Sequence, residues 1–338
     1  MTALSIVVPC FNEQECLAEL HRRLGDAARS AVGGDYELVL VNDGSSDETW
    51  PMMRRLAAGD SHVVAINLSR NHGHQLALTA GLDLCRGQRI MIIDADLQDP
   101  PELLGDMLTT MEREGADVVY GVRTSRDGET PFKRATAHGF YRLLSRATEI
   151  DIPLDTGDFR LMSRRALDAF LAMPEQARFV RGMVAWIGFK QVPLPYSRSE
   201  RFAGSTKYPL GKMIRFALDA LTGFSSAPLK VASHAGIVLA LGSILIVVYL
   251  LYLWLSGQTI EGWTSLMLVV VVLGAIQMFA LALMGEYIGR LYNEAKRRPL
   301  YVIQEIAGGD GSRARLGYVA EAIANSDTPG GIGTRPTT

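Results

Sequence analysis

Two stretches without Asp, Glu, Lys or Arg, Val231 to Leu255 and Thr264 to Gly285, limit what this chain can fold into. They are 25 and 22 residues long. A helix needs about 20 apolar residues to cross a hydrocarbon core. Two such runs in succession predict a two-helix transmembrane domain over 230–290, with spans at about 231–255 and 264–285, and disfavour buried soluble helices. Lys207, Lys212, Arg215 and Lys230 precede the first run, and Arg290, Lys296, Arg297 and Arg298 follow the second. The connecting loop, Ser256 to Trp263, has Glu261 and no Lys or Arg. Positive charge accumulates on the cytoplasmic side, so both termini are expected there. Trp254 and Trp263 stand where interface anchors would. Leu210 to Leu221 is amphipathic and fits an interface helix within 210–229. Leu4 to Pro9 already reads as core, so no signal peptide is expected.

The first 120 residues have a different rhythm. Apolar strands are predicted at Ser5 to Pro9, Tyr36 to Val41, Val63 to Leu68, Gln88 to Ile93 and Asp117 to Tyr120. Helices are predicted between them, at Glu13 to Ser30, Pro51 to Ala58, Gln75 to Cys85 and Pro101 to Glu114. Such alternation implies an α/β domain with a mostly parallel sheet, here over 1–209. Ligands bind beyond the carboxyl ends of such strands. Phe11-Asn12-Glu13, Asn42-Asp43, Ser69 to Gln75, Asp94-Ala95-Asp96 and Gly121-Val122-Arg123 each follow a strand. Five polar loops on one edge predict an active cleft there.

Asp94 and Asp96 are the sharpest feature of that edge. Carboxylates at i and i+2 on an extended segment point the same way and repel unless a cation lies between them. Oxygen ligands suit Mg²⁺ or Mn²⁺, which keep open positions for phosphates. No Gly-rich P-loop or GxGxxG follows the first strand, which disfavours NTP hydrolysis and dinucleotide chemistry. A nucleotide diphosphate fits better. Asp43 and Glu13 could accept from its base or ribose. Arg123 leaves the same edge and suits a second, acceptor phosphate through bidentate pairing. Spans and a basic patch together suggest a phospholipid-type acceptor. The formal charge is −2, so bulk nucleic-acid binding is not expected. Cys10, Cys16 and Cys85 have no metal spacing and are expected reduced; His72, His74 and His138 match no zinc pattern. Residues 291–307 read as a cytoplasmic segment and 308–338 as a disordered tail.

These motifs carry a resemblance. Ile6-Val7-Val8-Pro9-Cys10-Phe11-Asn12-Glu13, Val41-Asn42-Asp43-Gly44-Ser45-Ser46-Asp47, Arg70-Asn71-His72-Gly73-His74-Gln75 and Asp94 to Pro101 resemble family 2 glycosyltransferases of the Rossmann-like GT-A fold. Thr156 to Arg164, Gly204-Ser205-Thr206-Lys207-Tyr208 and Gly285-Glu286-Tyr287-Ile288-Gly289-Arg290 are similar to bacterial polyprenyl-phosphate members, the group of undecaprenyl-phosphate glucosyltransferases and dolichol-phosphate mannose synthase. The resemblance implies inverting transfer from a UDP-sugar, glucose first, to polyprenyl phosphate at the bacterial inner membrane. It implies a metal at Asp94, Asp96 and Gln98. Nucleotide-sugar contacts fall on Pro9, Phe11, Glu13, Asp43, Gln75 and Asp94, and lipid-phosphate contacts on Arg123, Arg134 and His138. Arg201 and Lys207 match a mobile loop closing over the phosphates, and Asp158 a candidate base or sugar-orienting carboxylate. With Asp96 these make the catalytic set. A homo-oligomer, a flippase and a periplasmic glycosyltransferase are its expected partners.

The sugar stays open between glucose, galactose, N-acetylhexosamine, mannose and aminoarabinose donors. A processive polysaccharide synthase would need more spans and a QxxRW motif, whereas residues 176–180 read Gln-Ala-Arg-Phe-Val. A non-catalytic membrane scaffold leaves the carboxylate pair and the basic acceptor side unexplained.

Overall fold

The computed structural model describes residues 2–124, 156–197 and 262–309, with single residues between 229 and 256. The chain divides into two units. One comprises 1–130, 152–207 and 298–338; the other comprises 131–151 and 208–297.

The first unit is built on an eight-stranded sheet of order β7-β5-β6-β4-β1-β2-β3-β8. Its strands are β1 Leu4–Cys10, β2 Tyr36–Asn42, β3 Val63–Leu68, β4 Arg89–Ile92, β5 Val118–Arg123, β6 Thr156–Ser163, β7 Gln191–Tyr196 and β8 Ile303–Gly308. Helices α1 Leu17–Val32, α2 Thr49–Gly59, α3 His74–Leu84 and α4 Leu104–Glu114 connect the first five strands, with a 3-10 turn Pro101–Leu103 before α4. The shorter α5 Arg164–Leu171 and α6 Val180–Trp186 follow β6. β1, β2 and β3 are buried at every position, the signature of strands covered on both faces. Helix α3 lies very close to them: a Cβ on Gly81 would stand 2.4 Å from Val7 Cγ1.

The expected parallel arrangement holds for β4-β1-β2-β3 and for β5 with β7. Two strands break it. β6 runs antiparallel between β4 and β5, and β8 runs antiparallel beside β3, so the sheet is mixed. Because β6 is reversed, its first residues meet the carboxyl ends of β4 and β5. Gly121 to Arg123, expected as a loop, belongs to β5 itself.

Opposite the cleft, Asp60 ties α1 to the start of β3. Its carboxylate meets His21 Nε2 at 2.9 Å and His62 Nδ1 at 2.8 Å, and accepts from the His62 backbone N–H at 2.9 Å. Burial alone would raise its pKa, but these partners bring it from the ordinary 3.8 down to about 2. A lowered carboxylate stabilises the fold above its unfolded value and loses that contribution as pH falls through its folded one. Asp60→Asn is therefore expected to cost ~2 kcal/mol at pH 7. Its deficit against the parent in urea titrations should shrink as pH falls below about 4.

In the second unit, helix α7 Trp263–Ala295 is 33 residues long. Within it Val272–Ala295 is long and apolar enough to cross a membrane, and none of that window is buried. The helix continues past the expected end of its span at Gly285, with Glu286 paired to Arg290 one turn on at 3.1 Å. The first expected span lies mostly outside the described residues, so one such helix, not two, is seen among them. The expected interface helix at 210–229 and the tail from 310 on also fall outside.

Candidate active site

At the carboxyl edge the first two polar loops are laced together. Asn12, with φ at 56°, donates its N–H to Ser45 Oγ and accepts from the Ser46 N–H, both at 2.9 Å. The Glu13 N–H donates to Thr49 Oγ1 at 2.9 Å. Pro9 is the penultimate residue of β1, paired with Val41, while Phe11 is 39% exposed beyond the strand end. Asp43 is buried, and its two oxygens accept from the backbone N–H groups of His72 at 2.7 Å and Gly73 at 3.0 Å. Burial raises its pKa, and those amides oppose the rise. Asp43 thus moulds the 70–73 loop, with one lone pair per oxygen left for a ligand. Gly44 is required beside it: φ is +65°, and a Cβ would lie 2.4 Å from the Asn71 nitrogen. A buried amide ladder backs this corner, from Asn42 Nδ2 to Asn67 Oδ1 at 2.6 Å and from Asn67 Nδ2 to Gln304 Oε1 at 3.2 Å.

At the centre the end of β4, the start of β6 and the first turn of α3 converge. Asp158 Oδ2 takes His74 Nε2 and Gln75 Nε2 at 3.0 Å each, and Oδ1 takes Arg181 Nε at 2.9 Å. Gln75 Oε1 in turn accepts the Val180 N–H at 2.8 Å. Burial would raise the Asp158 pKa, but Arg181 and His74 hold it well below the ordinary range. Burial would lower that of His74, yet Asp158 and Asp94 lift it to about 9. His74 is therefore an imidazolium at neutral pH, 3.6 Å from Asp94 Oδ1.

That Asp94 oxygen is buried and has no hydrogen-bond partner, and burial pushes its carboxyl up to about 6. A buried carboxylate oxygen left open calls for a cation. Asp96 stands two residues on, its Oδ1 accepting the Gln98 N–H at 3.2 Å across Leu97, whose φ is 57°. Strained residues of this kind cluster at ligand sites. Hard oxygen donors at Asp94, Asp96 and Gln98 fit a divalent ion. The ligand atoms of His74, Asp94 and Asp158 also lie within 4.8 Å of one another.

On the far side Arg123 closes β5, its Nε 3.4 Å from Tyr196 Oη at the end of β7. Buried Arg160 donates through Nη2 to the Gly157 carbonyl at 3.2 Å. Burial lowers its pKa to about 10, so it stays charged. Arg134, His138, Arg201 and Lys207 lie outside the described residues. Sequence reasoning missed His74, which it weighed only as a zinc ligand, and also Arg160 and Arg181. The one available signal for His74 was its place in a polar strand-end loop.

Known proteins are similar to this chain over most of its length. The family described as glycosyl transferase family 2 matches residues 5–171. The uncharacterized glycosyltransferase YkcC of Bacillus subtilis (strain 168) is 49% identical over 310 residues, 91% of this chain and 95% of that protein. The prophage bactoprenol glucosyl transferase homolog of Escherichia coli (strain K12) is 37% identical over 309 residues, 90% of this chain and 99% of that protein. Among solved structures, mannosyl-3-phosphoglycerate synthase from Rubrobacter xylanophilus overlays 70% of this chain and 75% of its own with a TM-score of 0.46 at 19% identity. Near-complete coverage of relatives this similar, with the carboxylate pair and polar loops on one sheet edge, makes this chain a glycosyltransferase belonging to glycosyl transferase family 2.

Proposed function

We propose that this chain transfers glucose from UDP-glucose to the phosphate of a polyprenyl lipid, inverting the anomeric carbon. The observation that carries this reading is the match to the bactoprenol glucosyl transferase homolog, which extends over 90% of this chain and so beyond the family 2 domain. In this reading Asp94, Asp96 and Gln98 hold Mg²⁺ or Mn²⁺, which would supply positive charge to the departing diphosphate. Pro9, Phe11, Glu13, Asp43 and Gln75 frame the uridine and sugar. Arg123, with Arg134 and His138, grips the acceptor phosphate, and Arg201 and Lys207 close over both phosphates.

An acceptor phosphate monoester is anionic near neutral pH, so its oxygen needs little activation. It attacks the anomeric carbon as the bond to the UDP oxygen breaks, and the electron pair leaves with UDP. Alignment and charge then supply most of the rate. Asp158 is a poor base at its depressed pKa, and a sugar-orienting carboxylate suits its fixed geometry better. The apolar runs at 231–255 and 264–285 would both cross the bacterial inner membrane, leaving the catalytic unit cytoplasmic beside its lipid. A flippase and a periplasmic glycosyltransferase would consume the product.

The test uses the purified full chain with Mg²⁺ or Mn²⁺, undecaprenyl phosphate and separate UDP-glucose, UDP-galactose, UDP-N-acetylglucosamine and GDP-mannose arms. One acid-labile glycolipid, formed best from UDP-glucose, is expected. Best turnover in another arm replaces the sugar, and no glycolipid in any arm defeats the proposal.

A further inference from the structure

We infer that Tyr196 is a positioning residue for the acceptor, fixing the Arg123 guanidinium through a hydroxyl that is itself held by Asp99 of the acidic loop. This rests on the assignment of Arg123 to the acceptor phosphate. Asp99 is completely buried, five residues past Asp94, and its Oδ1 accepts from the Tyr196 hydroxyl. Tyr196 Oη accepts in turn from Arg123 Nε at 3.4 Å. Among the described residues this is the hydrogen bond made by the Arg123 side chain, and no ion pair joins it.

The relay has a slot shaped for it. A Cβ on Gly121 would stand 2.7 Å from both the Phe159 and the Tyr196 rings, and one on Gly157 would stand 2.9 Å from Arg123 Nη2. Phe159 meets the Tyr196 ring edge-on, with centroids 5.4 Å apart. Arg123 and Tyr196 are register partners across β5 and β7, and the Thr124 N–H donates to the Tyr196 carbonyl at 2.9 Å. Burial and the neighbouring Asp99 push the Tyr196 hydroxyl well above its ordinary pKa, so it remains a neutral donor. Two hydrogen bonds thus join Asp99, on the loop that carries Asp94 and Asp96, to the Arg123 guanidinium.

Tyr196→Phe keeps the ring against Phe159 and removes only the hydroxyl. It is expected to raise the KM for undecaprenyl phosphate about tenfold, the scale of one charge-assisted hydrogen bond. The KM for UDP-glucose and kcat should move less than about twofold. If Tyr196 acts through Arg123, the double variant Tyr196→Phe/Arg123→Gln matches Arg123→Gln alone in acceptor KM, because residues acting as a unit are non-additive. Additive losses, or equal losses in kcat and both KM values, would make Tyr196 merely structural and overturn the inference. A parent enzyme without turnover on undecaprenyl phosphate defeats the functional reading and the inference together. A parent that turns over while the cycle is additive defeats the inference alone.

Discussion

Asp96→Ala is expected to lower turnover about a thousandfold, roughly 4 kcal/mol of transition-state stabilisation. Departure of a nucleoside diphosphate concentrates negative charge, and preorganised positive charge is the largest source of rate in such sites. The Asp96 side chain is only half-buried and lies at the mouth of the sheet, so its loss should leave the fold intact. A melting temperature within about 2 °C of the parent is the companion expectation for a substitution outside the core. Initial rates of radiolabelled sugar transfer at saturating Mn²⁺ provide the check. More than a tenth of parental activity would remove Asp96 from the metal site.

Asp158→Asn should show the opposite pattern, with stability suffering first. The substitution leaves the guanidiniums of Arg181 and Arg160 and the His74 imidazolium around a neutral amide. Breaking a buried ionic cluster by removing one partner costs about 3–5 kcal/mol. Chemical denaturation of the detergent-solubilised chain at pH 7 would measure it. A lowered carboxylate contributes stability above its unfolded pKa, ordinarily 3.8, and loses it as pH falls through the folded value. The deficit of the variant should persist down to about pH 4 and close below that. An unchanged midpoint at pH 7 would deny Asp158 its role as the pin of the central cluster.

The first part of the sheet was legible because β1, β2 and β3 are buried at every position and rich in Val, Leu and Ile. β1 to β5 came out at their observed places within a few residues, and the polar loops beyond them share the edge that the alternation implied. β6 escaped for a physical reason. Its sequence, Thr-Gly-Asp-Phe-Arg-Leu-Met-Ser, buries Asp158 and Arg160, and charges that neutralise each other inside a fold look like a loop in one dimension. β8 escaped for the converse reason: an edge strand is half-exposed, and Gln304 and Glu305 dilute its apolar pattern. The same split runs through the site. Asp94 and Asp96 announce themselves by spacing, and Arg123 by its place at a strand end. His74, Arg181 and Tyr196 act through partners 23 to 97 positions away in sequence, and no local pattern records such distances.

The last strand sets an order on how this protein can be made. β3 stays an open edge until residues 303–308 arrive, and these are synthesised only after α7. On the ribosome the eight-stranded sheet therefore cannot close before the apolar helix has left the exit tunnel. Until then the unpaired N–H and C=O groups of β3 are a template for wrong partners. Completion of the sheet thus follows synthesis of the whole apolar helix, so the order of translation itself makes the sheet the last part of this unit to be finished.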